Sequence, residues 1–208
     1  QKPLMLYAKD IDNNGSIDLL PAYYIKNSEG AFDLFPAIDR TQFAEEVPAI
    51  KKNYLLNSDY AAANIKQILA LMDNKGLVEL KCETNASVWI ENLGNSKFKI
   101  HPLPVQAQFA PINGILADDF DGDGNIDLLT AGNEYQIEIS SGRYDASYGL
   151  LLKGNGKGSF IPVTSAASGF IVDGDVKNIK VIDNKVHGKM VLASVNNDCL
   201  RCFSVRKY

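Results

Sequence analysis

Two short acidic segments contain the residues with the clearest capacity for chemistry. Residues 10–18 read Asp-Ile-Asp-Asn-Asn-Gly-Ser-Ile-Asp, and residues 119–127 read Asp-Phe-Asp-Gly-Asp-Gly-Asn-Ile-Asp. We call them the first loop and the second loop. Both carry aspartate at positions 1, 3 and 9, glycine at position 6 and isoleucine at position 8. Because closely spaced carboxylates repel each other without a cation, this shared pattern predicts two metal sites.

The donor atoms of both loops are oxygens, which favours calcium. Hard Ca²⁺ takes about 6 to 8 oxygen ligands, and a loop that curls around the ion supplies them from alternate positions. The second loop offers Asp119, Asp121, Asp123, the backbone carbonyl of Asn125, and Asp127. The first loop offers Asp10, Asp12, Asn14, the backbone carbonyl of Ser16, and Asp18. Since Asn14 replaces an acid, we expect the first loop to bind calcium more weakly than the second.

Other interpretations of the two loops explain less of the pattern. An EF-hand requires glutamate at position 12, where the loops continue into Pro21 and Thr130. The small octahedral shell of Mg²⁺ suits it poorly to a flexible cage made almost entirely by protein. Asp, Asn and Gly also favour hairpin turns for backbone reasons alone, so ordinary turn chemistry is the alternative to a metal site.

A second constellation predicts a ligand site further along the chain. Arg143, Tyr144 and Asp145 place a base, an aromatic ring and an acid side by side, a combination that can grip a sugar. An Arg-Asp pair that braces the loop is the commoner role for such residues and is the structural alternative. A glycan-active hydrolase or lyase is therefore the alternative function. Its acid and base would come from the ionisable residues Asp145, Glu134, Glu138 and His101. The common nucleophile, zinc-protease and P-loop motifs do not occur, so we do not predict an enzyme.

The composition describes a globular chain and excludes several classes of partner. The chain has 208 residues, and 21 basic against 25 acidic residues give a net charge of −4. This balance offers no electrostatic footprint for nucleic acid, and no apolar run approaches the roughly 18 to 20 residues that span a bilayer. We expect neither a nucleic-acid partner nor membrane insertion. Cys199 and Cys202 have CxxC spacing without a second pair or a nearby histidine, which favours structural thiols over a redox or zinc site.

The elements that position the two loops are short strands. Each loop runs into the sequence Ile-Asp-Leu-Leu, and each is followed downstream by a strand, a glycine turn and a second strand, at 88–98 and 150–160. A worn third copy occupies roughly 179–196, where Lys185 and His187 stand in the turn, so we expect no metal there. Each repeat therefore extends past its loop and contains about four strands.

One segment departs from the strand pattern. Between about residues 39 and 76 the apolar period becomes helical, and these residues follow the spacing of one amphipathic helix: Ala61, Ile65, Ile68, Leu69 and Met72. Ser58 would cap the start of this helix, and Gly76 would follow its end. A shorter helix is expected to begin at Thr41 and to end before Pro48.

Together these elements predict an all-β fold with a helical insertion at 39–76 in the first repeat. The architecture we expect over residues 1–208 is a partial β-propeller of about three four-stranded antiparallel blades. Closed propellers have about 4 to 8 blades, so this arc would not close alone. We therefore expect a segment of a longer chain, whose exposed edges pair with the remaining blades or with a second copy.

The two loops and the Gly-x-x-x-Phe turns resemble the FG-GAP and VCBS repeats of integrin α-subunit propellers and of many bacterial surface proteins. Residues 143–149 and 103–109, together with the helical insertion, are similar to the C-terminal part of bacterial ASPIC/UnbV proteins, which are related to cartilage acidic protein. The resemblance implies a seven-bladed calcium-binding propeller in a secreted or cell-envelope protein, often from Bacteroidetes, without an established enzymatic activity. This chain departs from that pattern in being shorter than the propeller and in losing the third loop.

The function expected from the sequence is therefore non-enzymatic. We expect a calcium-stabilised propeller segment, located outside the cytoplasm, that presents a surface to a protein or glycan ligand.

Overall fold

The computed structural model describes residues 2–27, 29–137 and 142–206. Over these residues the chain is mostly β, with 42% strand and 15% helix. The strands form four antiparallel sheets, and none of the described sheets closes on itself. The chain divides into two compact units, unit 1 (Gln1–Asn85) and unit 2 (Ala86–Tyr208). The all-β class predicted from the sequence is confirmed at this level.

Unit 1 contains a four-stranded sheet in the order β3-β2-β1-β4. Its strands are β1 (Leu4–Lys9), β2 (Asp18–Lys26), β3 (Phe32–Pro36) and β4 (Val78–Cys82). Alternate residues of a strand point to the same face, and the register pairs Met5 with Ala22 and Tyr7 with Leu20. All four side chains are buried, so this face of the sheet forms one side of the core.

The other side of this core is helical. Four short helices lie between β3 and β4: α1 (Arg40–Glu46), α2 (Ala49–Asn53), α3 (Asn57–Ala61) and α4 (Ile65–Leu69). Phe43, Ile50 and Ile68 are almost fully buried in the same cluster as the sheet residues. Burial of a large apolar side chain contributes roughly 1.5 to 3 kcal/mol, so the helices stabilise the sheet that carries the first loop.

The prediction of one amphipathic helix capped by Ser58 is wrong, because the chain forms two helices there and Ser58 lies inside the first of them. α3 ends at Ala61, and α4 begins after the extended residue Asn64. The Asn64 side chain accepts a hydrogen bond from the Gln67 amide, and the Gln67 side chain accepts one from the Asn64 amide. This capping box satisfies free backbone amides at the start of α4, and these hydrogen bonds favour a second helix over the continuation of α3.

Unit 2 contains three sheets over its described residues. A hairpin is formed by β5 (Val88–Gly94) and β6 (Lys97–Pro102). A four-stranded meander is formed by β7 (Ile112–Asp118), β8 (Asp127–Gly132), β9 (Leu150–Gly154) and β10 (Phe160–Val163). A short helix, α5 (Ser165–Ser168), follows β10. Three more strands form the last sheet: β11 (Val176–Asn184), β12 (Gly188–Val195) and β13 (Arg201–Ser204).

Both faces of the β7–β10 sheet are covered. Leu129 and Ala131 on one face are buried in a cluster with Val191 and Ala193 of β12. Leu152 on the other face is buried with Leu103 and Ala107, and Trp89 of β5 packs against that cluster. The sheets of unit 2 are thus stacked on the meander, which carries the second loop.

The repeat pattern predicted from the sequence has a mixed outcome. The strand, turn and strand expected at 88–98 and 150–160 are present as β5–β6 and β9–β10. However, β5–β6 forms a sheet of its own in unit 2, while the strand next to β1 is β4. The third sheet has three strands where four were expected. The β5–β6 hairpin lies with unit 2 in part because Trp89 packs on Phe160 of β10, which attaches the hairpin to the following sheet.

No helix in the described part of the chain is both long enough and apolar enough to span a bilayer.

Candidate metal centres

Both acidic loops close a hairpin at the same register. The first loop joins β1 to β2, whose pairing reaches Lys9 opposite Asp18. The second loop joins β7 to β8, whose pairing reaches Asp118 opposite Asp127. In each loop the aspartate at position 9 is therefore also the first residue of the returning strand.

The position-9 carboxylate ties each loop to its start. The backbone amide of Ile11 donates to Asp18 Oδ2 at 2.8 Å, and the amide of Phe120 donates to Asp127 Oδ2 at 3.1 Å. A charged acceptor strengthens such a bond. The two loops thus share a hydrogen bond between positions 2 and 9.

The position-1 carboxylate bonds the glycine at position 6. The Gly15 amide lies 3.0 Å from Asp10 Oδ2, and the Gly124 amide lies 3.2 Å from Asp119 Oδ2. Both glycines have positive φ, 89° and 85°, which side chains with a Cβ rarely adopt. The glycine predicted from the sequence is therefore needed for the bend that returns the chain to position 1.

The middle positions repeat the same geometry. The side-chain oxygen at position 3 accepts from the amide of position 5, and the side-chain oxygen at position 5 accepts from the amide of position 7. The four distances are 3.0 Å for Asp12 to Asn14, 3.1 Å for Asp121 to Asp123, 2.7 Å for Asn14 to Ser16, and 2.8 Å for Asp123 to Asn125. The predicted ligands at positions 3 and 5 are therefore held by local backbone bonds in both loops.

Three carboxylates converge in each loop. The ligand oxygens of Asp10, Asp12 and Asp18 lie within 4.8 Å of one another, and so do those of Asp119, Asp121 and Asp127. Each trio could hold a metal ion. The roles expected for the carbonyls of Ser16 and Asn125 stay predictions, and Asp123 lies outside the converging trio.

The second loop is anchored to a further strand. Asp127 is 1% exposed, and its Oδ1 accepts from the Gly154 amide of β9 at 2.8 Å. A Cβ at Gly154 would lie 1.9 Å from the carbonyl oxygen of Ile126, so only glycine fits there. Sequence reasoning missed Gly154, because its partner lies 27 residues away.

Lys153, the residue before this glycine, introduces a positive charge into the second loop. Its ammonium group donates to Asp121 Oδ2 and lies 3.0 Å from Asp123 Oδ2. These two carboxylates raise the pKa of Lys153. The Asn125 amide and then Lys153 lower the pKa of Asp123. The second loop therefore has a cation from its own chain on two of its predicted calcium ligands.

The first loop instead has an additional negative charge beside it. Loss of hydration, followed by repulsion from Asp18 and Asp12, raises the pKa of Glu46 at the end of α1. The helical segment thus brings a carboxylate near the loop that carries one acid fewer. Residues outside the loops therefore change the local charge, because Lys153 adds positive charge to the second loop and Glu46 adds negative charge beside the first. The order of calcium affinity expected from the sequence is based only on the charges within each loop.

The third turn has ordinary hairpin geometry. Asn184 Oδ1 accepts from the amides of Val186 and His187 at 2.8 and 3.0 Å, and pairing of β11 with β12 continues to Asn184 and Gly188. The turn between these residues is shorter than either acidic loop. Its lack of a metal site stays a prediction.

The residues proposed for a ligand site make contacts of their own. The Arg143 guanidinium lies 4.8 Å from the centroid of the Tyr135 ring, and the backbone of Tyr144 pairs with that of Glu134. Asp145 is exposed. Among the described contacts, Arg143 packs on the Tyr135 ring and forms no ion pair with Asp145.

The acid and base candidates for an enzyme have separate partners. Glu134 accepts two hydrogen bonds from Lys177, at 3.1 and 3.0 Å, and Lys177 lowers the pKa of Glu134. His101 Nε2 lies 2.9 Å from Glu91 Oε2, and its ring stacks on Trp89. Glu138 lies outside the described residues. The described contacts therefore assemble no acid and base pair from this set.

The three cysteines are free and exposed, so the structure adds no disulfide that would support a redox role.

Comparisons with known proteins give no family assignment. No protein-family model matches the sequence, and the search of curated proteins found no similar chain. The resemblance to calcium-binding propellers therefore depends only on the two acidic loops and the strand pattern of this chain.

We predict that Glu46→Gln stabilises the metal-free protein at pH 7. The pKa of Glu46 is raised in the folded state, so its ionised form opposes folding. This opposition is full above the folded pKa and disappears below the unfolded value of about 4.3. Thermal unfolding in EDTA should show a higher midpoint for the variant at pH 7 and no difference near pH 4.

The control is Glu29→Gln, because the Glu29 side chain has no described contact. A Glu46→Gln midpoint equal to that of Glu29→Gln at pH 7 would show that the Glu46 carboxylate is not repelled by the aspartates of the first loop.

Proposed function

We propose that this chain is a calcium-binding segment of a β-propeller of the FG-GAP/VCBS type, without enzymatic activity. The observation that carries the proposal is the hydrogen-bond frame shared by the two loops. Position 9 accepts from position 2, and position 1 accepts from position 6, in both loops. The frame brings three carboxylates within 4.8 Å at the closed end of each hairpin.

The chemistry of the loops favours calcium over other metals. Their side-chain donors are carboxylate and amide oxygens, which hard cations prefer, and thiolate and imidazole are absent from both loops. Calcium also accepts irregular geometry and a high ligand number, whereas Mg²⁺ requires a near-ideal octahedron. The ion would be structural, because it would neutralise carboxylates that otherwise repel each other at a hairpin end.

The arrangement of strands supports the propeller. The meander β7–β10 is four-stranded and antiparallel, as a blade is, and it has other sheets or loops packed on both faces. The edge of β13 opposite β12 has no strand among the described residues. Such an edge can receive a remaining blade of a parent protein or a second copy of this chain.

The proposed location is outside the cytoplasm, in the periplasm, at the outer-membrane surface or secreted. Calcium sites of extracellular modules have dissociation constants of about 10⁻⁴ to 10⁻³ M, which suits loops that are open to solvent. This location agrees with the one that the family resemblance implies.

A surface of unit 2 suits a protein or glycan ligand. A cavity of about 270 Å³ is lined by the exposed rings of Phe109 and Tyr148 together with Thr164 and Ser165. Aromatic faces provide apolar contact, and hydroxyl groups provide hydrogen bonds, which is the combination that orients polar ligands in pockets. We assign ligand binding to this surface, with Arg143, Tyr144 and Asp145 in the loop that precedes Tyr148.

Calcium is expected to raise the thermal midpoint. At a concentration of 100 times the dissociation constant, one site that exists only in the folded state adds about 2.7 kcal/mol of stability. Asp12→Asn and Asp121→Asn should each reduce the calcium-dependent shift, and the double variant should abolish it. Calorimetry with excess EGTA and then across a calcium titration measures these shifts.

Asp145→Asn is the matched control, because Asp145 is exposed and lies outside both loops. Its calcium response should equal that of the parent chain. A double variant that responds like the parent would refute calcium binding in these loops.

For the ligand surface, Tyr148→Ala should weaken binding to any glycan or protein captured on an array by roughly tenfold, because it removes an aromatic face. Phe98→Ala is the control, since Phe98 is an exposed aromatic residue of the separate β5–β6 hairpin. Equal losses in both variants would indicate nonspecific apolar binding and contradict the assigned surface.

A further inference from the structure

The second loop carries a positive group that has no counterpart among the described contacts of the first loop. We propose that the Lys153 ammonium serves as the second loop's own cation, which calcium must displace, so that Lys153 lowers the calcium affinity of this loop. The inference rests on the proposed calcium function. It opposes the order expected from the carboxylates alone, in which the second loop is the tighter site.

The contacts of Lys153 place its charge on predicted ligand atoms. Its Nζ donates to Asp121 Oδ2 and lies 3.0 Å from Asp123 Oδ2. Asp121 is one of the three converging aspartates of the loop. Lys153 therefore neutralises part of the acidic cluster without any metal.

Lys153 is aimed at the loop by the strand that carries it. The adjacent Leu152 is fully buried, and the adjacent Gly154 donates its amide to the buried Asp127. Backbone pairing further fixes Lys153 opposite Ile161 of β10. Both neighbours and the sheet thus fix the backbone from which the ammonium reaches Asp121.

The first loop has no comparable cation among its described contacts. The nearest lysine in sequence, Lys9, lies 3.0 Å from Asp73 Oδ2 instead. The described ion pairs do not include Asp10, Asp12 or Asp18, and Glu46 adds negative charge nearby. The two loops therefore share a frame but differ in the charge that calcium would meet.

Calcium and the ammonium compete for the same oxygens. A calcium ion requires carboxylate oxygens at roughly 2.3 to 2.6 Å, while an ammonium group bonds them at about 2.7 to 2.9 Å. The two positive groups repel each other over so short a distance, so calcium binding moves Lys153 away. Lys153 also lines a cavity of about 580 Å³ with Asp121, which gives the displaced side chain space to turn.

The test isolates the second loop with Asp12→Asn, which disables the first loop. In that background, Lys153→Met should raise calcium affinity by about tenfold in isothermal titration calorimetry. Lys153→Arg should leave the affinity near its starting value, because it keeps the charge. Lys180→Met is the control for net charge, since Lys180 is an exposed lysine of β11 without a described side-chain contact.

A second readout needs no metal. In EDTA, Lys153→Met should speed amide hydrogen exchange in residues 119–127 relative to Lys180→Met, because the loop loses its counter-ion. Unchanged exchange would overturn the role of Lys153 as the loop's own cation.

The outcomes separate this inference from the proposed function. If the Lys153→Met variant binds calcium no more tightly than the chain that keeps Lys153, the displacement is overturned, while calcium binding itself stands. If the parent chain and every variant fail to bind calcium, both the proposed function and the displacement fail.

Discussion

The second loop is held to its sheet by one buried carboxylate. Asp127 opens β8, accepts the Phe120 amide from within the loop, and accepts the Gly154 amide from β9. It is 1% exposed, and a buried charge is tolerated only when it is bonded and compensated. The two backbone amides provide the bonds, and Lys153 places a positive charge on the neighbouring Asp121. Asp127 therefore joins the loop, the start of β8 and the end of β9 that carries Lys153.

The first loop has the same hydrogen-bond frame but different charged residues around it. Asp18 accepts the Ile11 amide as Asp127 accepts that of Phe120, but the described hydrogen bonds of Asp18 include none from a further strand like that from Gly154 to Asp127. Glu46 at the end of α1 adds negative charge there, whereas Lys153 adds positive charge to the second loop. A shared backbone geometry thus gives two sites that differ in charge. In the proposed function, calcium completes both hairpins, and the surrounding charge sets how strongly each loop binds it.

The sequence predicts what is encoded locally. Nine consecutive residues specify each loop, because the acids, the glycine and the following strand occur within one hairpin. The capping box at Asn64 is also local, and it could have predicted that α3 and α4 are separate. Lys153, Gly154 and Glu46 could not be assigned in this way. They reach the loops through the register of β9 with β8 and through the packing of α1, which depend on long-range burial. The attachment of the β5–β6 hairpin to unit 2 through Trp89 is of the same kind.

The most direct measurement is a crystal structure of the protein grown with calcium, with anomalous data collected to locate the ions. We predict two anomalous peaks at calcium distances from carboxylate oxygens. One lies among Asp10, Asp12 and Asp18, and the other lies among Asp119, Asp121 and Asp127, with Lys153 turned away from Asp121. Crystals grown with calcium that show no peak in either loop, and Lys153 still on Asp121, would contradict both calcium binding by the loops and the displacement of Lys153.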